Sequence, residues 1–136
     1  MVRQVVHDPI FLAGVSRPAT GEDLAIARDL LDTLKANRNG CVGMAANMIG
    51  QKVRIIVFDC NGKYMTMLNP EITEASEEYE TEEGCLSLSG TRKTKRFGKI
   101  TIKFQTLALE TKTRAFQGFS AQIIQHEVDH CNGILI

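Results

Sequence analysis

The feature that most restricts this chain is His126-Glu127-Val128-Asp129-His130, an H-E-x-x-H pattern inside FSAQIIQHEVDH. On a helix, residues four apart project from one face about one turn from each other, so two imidazoles can share an ion while Glu127 reaches a water bound to it. Two polar surface histidines are the plain alternative. Against it, these are two of only three histidines, and both lie in the most apolar helix rather than a charged one. A catalytic metal site needs three protein ligands and one open position. Only six residues follow His130, none of them Glu, Asp or His, and Cys131 points about 100° away from the His126–His130 face. The third ligand is expected upstream, which counts against an ordinary zinc peptidase.

Three upstream cysteines are candidates. Cys60 adjoins Asn61-Gly62, and Cys41 follows a helix terminus among small residues, where a buried thiol is the simpler reading. Cys85 lies in Glu83-Gly84-Cys85-Leu86-Ser87, where the glycine lets the backbone approach an ion and the ion would deprotonate the thiol. A core thiol is the alternative there, and the helix motif tips the choice to Cys85 as ligand.

The rest of the chain supplies the scaffold. Leu24, Ala27, Leu30, Leu31 and Leu34 recur at helical spacing between Thr20 and Asn39, with Thr20 and Asp23 marking the start and Asn39-Gly40 the end. VRIIVFD (53–59) and KYMTML (63–68), joined by Asn61-Gly62, read as a type I′ hairpin. Asn69-Pro70 is expected to break the run, after which EITEASEEYE alternates weakly and KITIKFQTLALETKTRAFQ suggests two more strands. The expected fold is α+β, a mostly antiparallel sheet packed around a central H-E-x-x-H helix with one further N-terminal helix. At 136 residues without repeats or linker-like tracts, the chain is expected to form one domain, 1–136.

E-G-C-L-S followed some forty residues later by Q-H-E-x-D-H resembles the signature pair of the peptide deformylases, here Glu83–Ser87 and Gln125–His130. The family's first motif, G-φ-G-φ-A-A-x-Q, aligns in part with Cys41–Met48. The resemblance runs from about Val5 to the end, and family members often continue further with a C-terminal helix. It implies removal of the N-formyl group from formyl-methionyl peptides, with Fe2+ as the usual metal and Zn2+ or Ni2+ as substitutes. By this resemblance Cys85, His126 and His130 are the ligands. Glu127 acts as general acid/base on the metal-bound water that attacks the formyl carbon, and Leu86 donates its backbone N–H to the oxyanion. Gly43 would meet the substrate backbone and Arg92 the residues after methionine, with Val42, Phe119 and Ile123 walling the methionine pocket.

Two positions depart from that first motif. Cys41 replaces a glycine and Met48 replaces the glutamine whose amide donates to the oxyanion, and a thioether donates nothing. Asn47 and Gln51 stand at odd offsets, which in extended backbone point to the opposite face. The alternatives are therefore a deformylase-like protein with weak or redirected amidase activity, or a non-catalytic metal-binding module. Arg92–Arg96 and Glu77–Glu83 read as solvated charge runs, with contacts near the ribosome as the family-based alternative. Sixteen basic residues balance sixteen acidic ones, so no net field favours a nucleic acid or acidic membrane. The lack of a long apolar run or signal-like start gives a cytoplasmic expectation.

Overall fold

Ile55, Ile56, Val57 and Phe58 are all fully buried. Successive strand residues point to opposite faces, so a sheet containing them must be covered on both sides. A computed structural model describing residues 1–136 has that arrangement. Its helices are α1 (Pro9–Leu12), α2 (Leu24–Ala36) and α3 (Gly118–Cys131). Its strands are β1 (Gly43–Ala45), β2 (Ile55–Cys60), β3 (Lys63–Cys85), β4 (Leu88–Gln105) and β5 (Thr111–Gln117), in sequence order in one antiparallel sheet. The α+β architecture matches the expectation from sequence.

Ile56, Phe58, Met67, Ile102 and Phe116 pack with Ile124 and Val128 of α3, and the rings of Phe58 and Phe116 meet edge to face at 6.1 Å. Ile55, Val57 and Leu68 pack instead with Leu30 and Leu34 of α2 and with Met44. Truncating such a phenylalanine to alanine typically costs about 3–5 kcal/mol. Ten of the fourteen α3 residues are buried, so this helix is enclosed on nearly every side. Gly118, at φ 65°, turns the chain from β5 into it, and Gly133, at φ 75°, leads out. A side chain at Gly133 would strike the Ala13 carbonyl. No helix is long and apolar enough to cross a membrane.

Several boundaries differ from expectation. Asn61 and Gly62 have positive φ, 54° and 92°, as a type I′ turn requires. Asn69-Pro70 does not end its strand. Asn69, at φ 52°, forms a bulge, and its amide bonds Ala19 and Gln105, so β3 continues to Cys85. The helix read to Asn39 ends at Ala36, because Asn37 closes its last turn by donating Nδ2–H to Thr33 O. Thr20 and Asp23 do form a capping box, which opens a 3-10 turn (Gly21–Asp23) leading into α2. The short α1, the edge strand β1 and a 3-10 turn at Ala46–Ile49 were not anticipated.

Candidate active site

Strand β3 ends at Cys85, a two-residue turn of Leu86 and Ser87 follows, and β4 returns from Leu88. This hairpin end meets the last two turns of α3. Cys85 Sγ lies 3.3 Å from His130 Nε2, which lies 3.1 Å from His126 Nε2. All three donor atoms fall within 4.8 Å of one another. A tetrahedral ion about 2.0 Å from each nitrogen would hold two nitrogens about 3.3 Å apart, so spacing and donor chemistry both fit one divalent metal.

The surroundings orient these donors. Glu83 Oε1 accepts from His126 Nδ1 at 2.8 Å, leaving Nε2 to face the cluster. Glu83 also accepts a forked pair of hydrogen bonds from Arg96, which donates to Asp129 as well at 2.8 Å, and a further one from Gln122. A carboxylate behind a metal-binding histidine fixes its tautomer and raises its basicity. Burial alone would raise the Glu83 pKa, but hydrogen bonds from His126, Arg96 and Gln122 pull it down to about 2. Burial opposes charge on both imidazoles. At His126 the hydrogen bonds to Cys85 and Glu83 outweigh it and raise the pKa to about 10, whereas His130, buried beside that charge, falls to about 3.

Glu127 projects into the same cleft. Burial raises its pKa to about 7, and its Oε1 has no hydrogen-bond partner. Gly43 makes room for it, since a Cβ there would stand 2.9 Å from Glu127 Oε2 and 2.7 Å from Ile123 Cγ2. The cleft, about 250 Å3, is lined also by Cys41, Val42, Leu86, Phe119 and Gln122. The Cys41 thiol donates to Gly43 O at 3.0 Å, and burial pushes its pKa to about 11.

Two positions read from sequence are not among the residues lining the cleft. Arg92 turns its guanidinium toward Ser89 O and is not among the lining residues. Met48 is 1% exposed, packs in the core shared with α2, and lies with Sδ 3.5 Å from the Ala45 N–H. Residues 46–49 form a 3-10 turn rather than extended backbone, so counting odd and even offsets from Met48 does not apply. Asn47 instead donates Nδ2–H to His130 O at 3.0 Å. Sequence reasoning missed Glu83, Arg96 and Asn47 as supports. In the charge runs, the available signal was the strand period that sets Arg92, Thr94 and Arg96 on one face and Lys93 and Lys95 on the other.

Comparison with known proteins places the chain in a family. The family model described as polypeptide deformylase matches residues 4–136. A peptide deformylase of Clostridium beijerinckii is 48% identical over 136 residues, covering all of both chains. The Acinetobacter baumannii class I type b enzyme with Met-Ala-Ser bound superposes at a TM-score of 0.88, with 34% identity and coverage of 99% of this chain and 97% of the other. Peptide deformylase of Thermotoga maritima superposes at 0.89, with 29% identity and coverage of 99% and 95%. The chain belongs to the polypeptide deformylase family, metal-dependent hydrolases that remove the N-formyl group from nascent peptides.

Proposed function

We propose that this chain deformylates formyl-methionyl peptides in the cytoplasm, near ribosomes, with Cys85, His126 and His130 holding one divalent ion and Glu127 moving the proton. The observation that carries the reading is the convergence of three ligand atoms within 4.8 Å beside a buried carboxylate with an unpartnered oxygen. A bound ion supplies the positive charge that makes water nucleophilic near neutral pH and polarises the formyl carbonyl. Iron(II) is the native metal by family, and zinc or nickel suits the same thiolate and imidazole donors.

Glu127, with a pKa near 7, takes a proton as water adds to the formyl carbon and returns it to the amine as the C–N bond breaks, giving formate and a free N-terminus. The Leu86 N–H donates to the developing oxyanion. Val42, Phe119 and Ile123 border a cleft that suits one unbranched side chain and the reacting group rather than a whole peptide. Gly43 borders the substrate backbone, and Arg92, outside the cleft, contacts only residues beyond the methionine.

One observation favours weaker or redirected amidase activity as a second reading. The nearby amides are engaged elsewhere, Gln122 with Glu83 and Asn47 with His130 O, leaving Leu86 without a second oxyanion donor. The test is turnover of formyl-Met-Ala against acetyl-Met-Ala by anaerobically purified iron(II) protein, with elemental analysis of variants. Glu127→Ala is expected to keep the metal and lose turnover, and Cys85→Ser to lose the metal. Full metal occupancy in Cys85→Ser, or preference for the acetyl peptide, would overturn the proposal.

A further inference from the structure

His7 is the one histidine outside α3, and its partner lies 80 residues away in sequence. Its Nδ1 stands 3.0 Å from the carbonyl oxygen of Ser87. A carbonyl only accepts, so the ring donates Nδ1–H, which both the neutral Nδ1–H tautomer and the imidazolium can do. Ser87 belongs to the two-residue turn between Cys85 and Leu88. No other hydrogen bond ties Leu86 or Ser87 to any part of the chain outside their own hairpin, and Ser87 Oγ is buried without a partner.

The segment that carries His7 is itself anchored. The Val6 N–H donates to Met48 O at 2.7 Å, and the Asp8 carboxylate accepts from the Ile10 N–H at 3.0 Å as α1 begins. Residues 6–8 therefore form a strap running from the 46–49 turn to the Leu86–Ser87 turn.

We propose that His7 is a positioning residue that fixes the Leu86–Ser87 turn and, through it, the aim of the Leu86 N–H at the substrate oxyanion. This rests on the deformylase reading for its purpose, though not for the strap itself. The Ser87 carbonyl follows the Leu86 N–H by two peptide planes in a turn whose ends, Cys85 and Leu88, are paired, so a hydrogen bond that anchors this carbonyl limits how far the whole turn can pivot. Losing an oxyanion donor outright costs about a hundred- to a thousandfold in turnover, and a donor that wanders rather than disappears should cost less, about tenfold.

Two variants separate the hydrogen bond from the bulk of the ring. His7→Phe keeps a ring and removes the donor, whereas the amide nitrogen of His7→Asn stands at the same reach from the backbone as Nδ1. Steady-state kinetics on formyl-Met-Ala, metal content and amide hydrogen exchange of the segment spanning residues 84–90 are measured for both. For His7→Phe, kcat should fall about tenfold with KM within about twofold, metal content unchanged and faster exchange at Leu86 and Ser87. His7→Asn should match the wild type in all four. His7 is exposed, so neither variant threatens the core. Wild-type kcat and exchange in His7→Phe, or equal impairment in His7→Asn, would overturn the proposal. If fully loaded wild type turns over nothing, the deformylase reading fails, and the exchange contrast between the two variants then decides the strap on its own.

Discussion

Two acid–base pairs on the same hairpin make instructive opposites. Glu83 and Arg96 join β3 to β4 at 2.7 Å with side chains 7% and 5% exposed, whereas Glu78 and Lys95 join the same strands at 3.9 Å with side chains 55% and 68% exposed. Both are carboxylate–cation contacts made diagonally across the β3–β4 register. The difference is α3, which covers one face of the hairpin end and adds His126, Gln122 and Asp129 as further partners. On the open face, Glu80 and Glu82 stand opposite Lys95 and Lys93, so the acidic and basic runs face each other across the hairpin. A charge pair gains a positioning role here only where a second element dries it and supplies the remaining hydrogen bonds.

Breaking the buried pair tests this most severely. Arg96→Ala leaves the Glu83 and Asp129 carboxylates without their shared cation, and urea unfolding should show a loss of about 3–5 kcal/mol. Glu83→Gln keeps the size but weakens the acceptor behind His126. Competition with a chelator should reveal a tenfold to hundredfold loss of metal affinity, and unchanged affinity would mean that Glu83 is structural only. The same variant has a pH signature. A carboxylate held at about 2 against an ordinary value of 4.5 stabilises the fold above about 4.5 and ceases to as pH falls toward 2. Acid unfolding of the wild type should carry that component, and Glu83→Gln should lack it.

Met48→Gln sharpens the comparison from the other direction by burying an amide with no arranged partner. It should destabilise the fold by about 1–2 kcal/mol without raising turnover of formyl-Met-Ala. A tenfold rise would show that this side chain reaches the cleft after all. The smallest effect belongs to Lys95→Ala, within about 0.5 kcal/mol and vanishing at high salt.

The parts of this molecule that sequence exposes are those written in local pattern. H-E-x-x-H, the Asn61-Gly62 turn and the spacing of Leu24–Leu34 each depend on neighbours within one turn or one hairpin. E-G-C-L-S brought Cys85 forward because the helix motif demanded a third donor. What stayed hidden depends on pairing across the sheet. Glu83 and Arg96 look like members of solvated runs until the register sets them on the face that α3 covers. Asn69 reads as a strand breaker because its side-chain bonds to Ala19 and Gln105 lie 50 and 36 residues away. Met48 was legible as a departure from the motif, but a family pattern carries no statement about which way a substituted side chain turns.

The span of the contacts around the site has a consequence for kinetics. Cys85 meets His130 across 45 residues, His7 meets Ser87 across 80, and Asn47 meets His130 across 83. Such closures carry a large entropic cost, so the expectation is that the three ligands converge late, after the folding barrier has been crossed. An ion held by them acts as a brake on opening rather than a template for folding: raising metal concentration should slow unfolding in proportion to occupancy while leaving the refolding rate unchanged.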